Sequence, residues 1–380
     1  MTKPRLIAFY LPQYHPIPEN DEWWGKGFTE WTNVAKAKPL FRGHYQPHLP
    51  ADLGFYDLRV PEVREQQAEL AREAGIEGFC YWHYWFAGKQ LLERPFNEVL
   101  ATGKPDFPFC LGWANQSWTG IWHGAPDRVL MEQTYPGFED HLAHFQTLLP
   151  AFMDSRYIQV DGKPLFVIFR PQQLPQPKET IQIWNSFAKS AGLRGLFFVG
   201  VTDSENMALR FAEAGFDGLT VLSWRGSAKK NLLIRALSKL LGKQKMVEIY
   251  QRVFKKPYHI YDFLDGCKNA IIDHPTTFTY FPGITPNWDN TPRSGLNGSV
   301  VVNSNPAQFK ILVQRAIDRI KDYEDEHKLI FIKSWNEWAE GNYLEPDTKF
   351  GHGYLEAVKE VLEANNVENN INLNYQMKDD

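Results

Sequence analysis

Short apolar runs alternate with longer amphipathic stretches from one end of the chain to the other. The apolar runs are Arg5–Tyr10, Gly78–His83, Phe107–Trp113, Leu165–Arg170, Leu196–Val201, Gly218–Ser223, Thr277–Pro282 and Leu329–Ser334. Each has the length of a strand and is mostly apolar, as a strand covered on both faces would be. Helical spacing marks Pro61–Ala74, Lys89–Thr102, Phe138–Phe152, Lys178–Ala191, Ser204–Ala214, Tyr261–Asp273, Pro306–Glu326 and Gly353–Ala364. Ala-Gly pairs at 74–75, 191–192 and 214–215 stop three of these helices just before a strand. Eight strand–helix units predict an α/β fold, a (β/α)8 barrel of the TIM type, in preference to an open doubly wound sheet. No Gly-x-Gly-x-x-Gly follows a strand, and no phosphate loop is present.

One segment breaks the alternation. Between the sixth strand and its helix, residues 225–260 form an insertion in which ten Lys and Arg, from Arg225 to Lys256, are opposed by Glu248 alone. Leu233, Leu237, Leu240 and Leu241 fall at helical spacing among them. This predicts a basic amphipathic helix, either a lid over the barrel mouth with a solvated basic face or a peripheral contact of 225–257 with an anionic membrane. The expected organisation is a single catalytic domain over 1–365 and a polar tail over 366–380.

Composition narrows the partners. With 380 residues, 43% of them hydrophobic, the chain can bury a large core, and a net charge of -4 gives no general attraction to nucleic acid. The basic segment comes with no nucleic-acid-binding motif, and no obligate protein partner is evident. The three cysteines, Cys80, Cys110 and Cys267, lie far apart in apolar segments and read as reduced thiols. The apolar run after Arg5 is short for a signal sequence, so a cytoplasmic location is expected.

In such a barrel, chemistry sits where the strands end. The first strand runs into Tyr10-Leu11-Pro12-Gln13-Tyr14-His15, followed by Trp31; the second passes through Trp82, His83 and Trp85; the third gives Trp113, Asn115 and Trp118. The sixth ends at Trp224, the seventh leads to Asn287, Trp288, Asp289 and Arg293, and the eighth to Trp335, Asn336, Glu337, Trp338 and Glu340. A single Trp is as readily core filling as binding surface. The set mixes aromatic faces with amides and acids, the two things a sugar site needs: rings to stack on and polar groups for hydroxyls.

Glu337 and Glu340 are the sharpest feature. Glycosidic bond cleavage uses two carboxyl groups, one to protonate the leaving oxygen and one as base or nucleophile. A helical turn after the eighth strand would send both side chains to one side, and the neighbouring indoles would raise the pKa of a desolvated Glu. His44 and His48 are separated by a Pro-containing string, and His141 and His144 lie on a crossover helix expected to face solvent. Neither pair has the further ligands of a zinc site, so neither metal nor cofactor is expected. No Gly-x-Ser-x-Gly elbow appears.

These strings, with Gly27-Phe28-Thr29-Glu30-Trp31-Thr32-Asn33-Val34, Tyr81-Trp82-His83-Tyr84-Trp85 and Pro286-Asn287-Trp288-Asp289-Asn290-Thr291-Pro292-Arg293, resemble the WbsX-like family over nearly the whole chain. That family is labelled as glycosyltransferases of lipopolysaccharide O-antigen synthesis and is similar to the glycoside hydrolase family 99 barrels, endo-α-mannosidases and endo-α-mannanases. The resemblance implies that Glu337 acts as base on the substrate's own 2-hydroxyl, giving a 1,2-anhydro sugar, and that Glu340 serves as general acid and then base. One departure stands out. Where many members read Trp-Ala-Asn-Glu-Asn-Trp, this chain has Trp113-Ala114-Asn115-Gln116-Ser117-Trp118, without the acid. The expectation is a retaining endo-acting glycoside hydrolase on an oligo- or polysaccharide. The alternatives are a glycosyltransferase, against which the missing Asp-x-Asp string counts, and a non-catalytic sugar-binding barrel.

Overall fold

The computed structural model describes residues 3–120, 125–222 and 242–376. Eight parallel strands form its centre: β1 (Arg5–Tyr10), β2 (Gly78–Phe86), β3 (Phe109–Trp113), β4 (Lys163–Ile168), β5 (Phe197–Thr202), β6 (Gly218–Val221), β7 (Tyr280–Phe281 continued by Gly283–Ile284) and β8 (Leu329–Ile332). Each pairs with the next in chain order, and β8 returns to β1 in a register running from Arg5–Leu329 to Ala8–Ile332, which closes the barrel. Strand β7 is split at Pro282, which has no N–H for the ladder; its carbonyl still accepts from Phe331 N at 2.9 Å.

The interior is filled by rings. Phe9 stacks on Trp82 at 4.5 Å and meets Phe331 at 5.6 Å. Gly112 makes room for the indole of Trp82, since a Cβ there would lie 3.0 Å from it. Outside the barrel, crossover helices follow the strands, and those ending at the three Ala-Gly pairs stop on left-handed glycines, Gly75, Gly192 and Gly215.

Two expected helices differ. Residues Lys89–Leu91 form a strand that turns back on β2, pairing Tyr84 with Leu91, and the helix begins only at Arg94. The stretch from Tyr261 contains the end of a strand, His259–Asp262, paired with Ser299–Val302, before the short helix Phe263–Cys267. In the second segment the β-branched Ile260 and the aromatic Tyr261 pair with Val300 and Val301, partners that helical spacing does not reveal. His141 and His144, expected in solvent, are buried: His144 is packed between the rings of Trp85 and Trp184.

The closing helix runs Gly353–Gln376 and so enters the polar tail. Of the insertion, the described end is the helix Lys243–Phe254, whose Gln251 Nε2 donates to the Leu296 carbonyl at 2.8 Å. Trp224 and the spaced leucines Leu233, Leu237, Leu240 and Leu241 lie outside the described residues. All three cysteines are buried and free. No helix among the described residues is long and apolar enough to cross a membrane.

Candidate active site

Past β8 the chain makes a small hairpin, Asn336–Glu337 pairing antiparallel with Asn342–Tyr343. Its tip is one 3-10 turn, Trp338–Glu340, closed by Gly341 at φ 64°. Side chains three apart on such a turn eclipse, so Glu337 and Glu340 enter the same cavity, about 370 Å³ in volume, at the C-terminal mouth of the barrel. The hairpin is fixed from beneath. The hydroxyl of Tyr14 donates to the Asn336 carbonyl and accepts from Trp338 N at 3.1 Å. The buried carboxyl of Glu345 accepts from Trp338 Nε1 (2.6 Å), Gln67 Nε2 (2.6 Å) and Tyr56 OH (2.9 Å).

Charge is distributed unevenly over the pair. Glu340 takes a hydrogen bond from Arg293 Nη1 at 2.6 Å, lies 3.5 Å from Lys333 Nζ, and has Asn342 Nδ2 at 3.4 Å. Arg293 also donates from Nε to Glu30 at 3.0 Å, bridging two acids. Among the described residues, the cation within 4 Å of Glu337 is Lys333, at 3.8 Å. Burial and the adjoining Glu340 therefore push the Glu337 carboxyl well above the ordinary range. Burial acts on Glu340 too, but Lys333 and Arg293 outweigh it and hold that carboxyl well below the ordinary range. The two carboxyl groups adjoin and titrate as a pair, with Glu337 the harder and Glu340 the easier to ionise.

Of the residues singled out in the sequence, Gln13, Trp82, Trp118, Arg293, Glu337 and Glu340 line this cavity. Trp288 lies beside it, its ring 4.7 Å from Lys333 Nζ. Asn287 and Asp289 line a second, smaller cavity of about 170 Å³. Asp289 is occupied by internal donors, His44 and Gln46 at 2.7 Å and Thr291 Oγ1 at 2.6 Å, and its own N–H donates to the Glu340 carbonyl at 2.7 Å.

Tyr10, Tyr14, His15, Trp31, Trp85, Trp113, Asn115, Trp335, Asn336 and Trp338 are buried behind the cavity wall. Asn115 bonds the Arg170 backbone through both amide atoms, and Tyr10 OH donates to Gln67 at 2.6 Å. His83 sits Nε2 to Nε2 with His144 at 2.8 Å, and burial drives its pKa down to about 3, so it stays neutral.

Glu30, Tyr84, Arg170 and Lys333 also line the cavity and were not singled out by sequence. Lys333 had a signal, a charge directly after Leu329-Ile330-Phe331-Ile332; Glu30 had one as the acid inside Gly27-Phe28-Thr29-Glu30-Trp31. Gln116 and Ser117, the positions that depart from the family string, face the cavity as well.

The fold and the site together define a closed (β/α)8 barrel with a buried acid pair at its C-terminal mouth. The chain belongs to the family described as Glycosyltransferase WbsX, whose pattern matches residues 6–358. The uncharacterized protein WxcX of Xanthomonas campestris pv. campestris strain B100 is 37% identical over 94% of this chain, and its counterpart from strain ATCC 33913 is 38% identical. The chain spans about half the length of these relatives, 49% in each case. Among solved structures, a glycoside hydrolase-like protein matches with a TM-score of 0.58 at 15% identity, covering 95% of this chain and 94% of that one. The GH99 endo-alpha-mannosidase from Bacteroides thetaiotaomicron in complex with bis-tris-propane matches with a TM-score of 0.56 at 17% identity, covering 96% and 98%. These likenesses are of fold.

Proposed function

We propose that the protein is a retaining, endo-acting glycoside hydrolase that cleaves a mannose-like or bacterial surface glycan, with Glu337 and Glu340 as its catalytic pair. The observation that carries this reading is the pair itself: two adjoining buried carboxyl groups in an aromatic-walled cavity, burial favouring the protonated form of Glu337 while Lys333 and Arg293 favour the charged form of Glu340. A glycosidase needs one acid and one base. Adjoining carboxyl groups leave no space for the water that an inverting enzyme places between them.

In the order implied by the likeness to family 99, Glu337 takes the proton of the substrate's 2-hydroxyl. The oxygen O2 attacks C1, the bond from C1 to the leaving oxygen breaks, and Glu340 protonates that oxygen. Water then adds to C1 and gives its proton to Glu340, while the C1–O2 bond opens and O2 regains its proton from Glu337. In the free site protonation is favoured on the opposite member. The adjoining position lets that proton cross to Glu340 as the 2-hydroxyl docks on Glu337.

A second reading, transfer to a sugar hydroxyl in place of water, draws on the family's description as a glycosyltransferase. Incubation with mannan-type and bacterial surface oligosaccharides, beside nucleotide sugars, separates the two. Glycan shortening seen by mass spectrometry, lost in Glu337→Gln and in Glu340→Gln, with the first-formed product keeping its anomeric configuration by proton NMR, is the expected result. Nucleotide release with glycan lengthening would replace hydrolysis by transfer.

A further inference from the structure

Strand β8 is apolar and fully buried from Leu329 to Ile332, and the next residue carries an ammonium. The Lys333 side chain is only 12% exposed. Its backbone N–H donates to the Ile284 carbonyl at 2.8 Å, so the ladder to β7 fixes where the side chain starts. A cation placed so deep is unfavourable unless paired. Its partners are both members of the acid pair, Glu340 at 3.5 Å and Glu337 at 3.8 Å, and its Nζ lies against the face of Trp288.

The other groups facing the pair come from several elements. Arg293 stands on the loop after β7, Glu30 on the helix after β1, Tyr84 on β2, and Asn342 on the returning hairpin strand. Arg293 divides its guanidinium between Glu30 and Glu340. Among the described residues, Lys333 is the cation within 4 Å of Glu337.

We infer that Lys333 is a positioning residue that sets the ionisation of the pair: its ammonium, 3.5 Å from Glu340 and 3.8 Å from Glu337, is shared by both carboxyl groups and favours the charged form of each. Without it, the first ionisation would form a buried carboxylate facing Arg293 and the neutral Asn342 amide, and the second would add a like charge beside it. Both ionisations then move to higher pH. The consequence for catalysis rests on the hydrolytic reading; the ionisation itself is a property of the free protein.

The test is a carboxyl titration of the intact chain carrying 13C-carboxyl glutamate, followed by NMR, with the two signals identified by their loss in Glu337→Gln and Glu340→Gln. In the wild-type protein Glu340 is expected to remain ionised through the acid range while Glu337 titrates far above it. In Lys333→Met both transitions are expected to rise by about one pH unit or more, and Lys333→Arg to restore them. Transitions that stay within a few tenths of a unit in Lys333→Met overturn it. If a glycan is cleaved, the bell-shaped pH profile of kcat/KM moves to higher pH in Lys333→Met. A lysine with a merely structural role would lower the rate without moving either limb. If no glycan is cleaved, the hydrolytic reading fails and the titration still decides the inference.

Discussion

Asn336 holds both backbone groups of Leu11: its Oδ1 accepts from the Leu11 N–H at 2.7 Å and its Nδ2 donates to the Leu11 carbonyl at 3.1 Å. The β1–β8 ladder ends at the Ala8–Ile332 pair, so this side chain extends the closure of the barrel past the end of its strands. The next residue is Glu337, which makes the contact an anchor for the acid pair.

Asn336→Ala strands a buried N–H and a buried carbonyl at once. Such groups cost about 1–3 kcal/mol each when left unsatisfied. The expected result is a fall in unfolding free energy of about 2–3 kcal/mol in urea titration. Any catalytic rate is expected to fall further than the loss of folded protein explains. A stability unchanged within 0.5 kcal/mol would mean that the ladder alone closes the barrel here.

Arg293 separates two buried acids, Glu30 and Glu340, so Arg293→Met leaves them facing each other without their cation. Removing one partner from a buried ion pair is destabilising by about 3–5 kcal/mol. Urea unfolding should show a loss of that order, and adding Glu30→Gln to Arg293→Met should return part of it. If the second substitution returns nothing, the charges are relieved by water and the bridge is weaker than its geometry implies.

The barrel was legible because its strands are mostly apolar, from Leu6–Tyr10 to Leu329–Ile332, and because glycines mark several helix ends. What was hidden depends on contacts across the chain. Trp113 and Trp335 stand in the same kind of string as Trp118, yet the first two pack inside and the third faces the cavity. Local pattern does not tell which side of a wall an indole lies on. The Glu pair could be read because both acids sit in one short motif. Lys333 lies just past the strand before it, Arg293 in the segment after β7 and Glu30 about three hundred residues away, joined to the pair only by the closure of the barrel.

Burial pushes the Glu345 carboxyl up to about 7, even with three donors around it. An unfolded Glu titrates near about 4.3. The folded state therefore keeps its proton through the interval where the unfolded state has lost it. Stability from this group is fully present below about pH 4 and is lost as pH rises through about 7, after which it is constant. Glu337 acts in the same direction; Glu340, held low, contributes stability that disappears only as pH falls into the strongly acid range. Glu345→Gln should flatten the decline between pH 4.5 and 7 by up to about 3 kcal/mol, read as urea midpoints across that interval. An equal slope in both proteins would show that Glu345 ionises at an ordinary pH.

Trp118 is half-buried in the cavity wall, with Tyr84 at 5.1 Å and Trp23 at 5.8 Å supporting its ring. If it is a platform for a sugar ring, Trp118→Ala removes an aromatic contact of about 0.5–1.5 kcal/mol from ground and transition states alike. KM is expected to rise roughly tenfold with kcat little changed. A fall in kcat at constant KM would place Trp118 in organising the acid pair instead.

Gly341 joins two constraints at one residue. Its φ of 64° disfavours any side chain, and a Cβ added there would lie 2.9 Å from the Asp289 nitrogen, the atom that donates to the Glu340 carbonyl. The left-handed conformation alone costs a non-glycine residue about 1–2 kcal/mol. Asn tolerates that conformation better than Ala, so the two substitutions separate the constraints. If backbone strain dominates, Gly341→Asn should be nearly wild type while Gly341→Ala is not. The close approach of Asp289 predicts that both variants move the turn carrying Glu340 away from the β7 loop. Activity per folded molecule should then fall in both, by tenfold or more if Glu340 shifts by as much as an ångström. Comparing stability and activity for the two variants decides between strain and displacement, and full activity in Gly341→Asn would remove the Asp289 contact from the account of how Glu340 is placed.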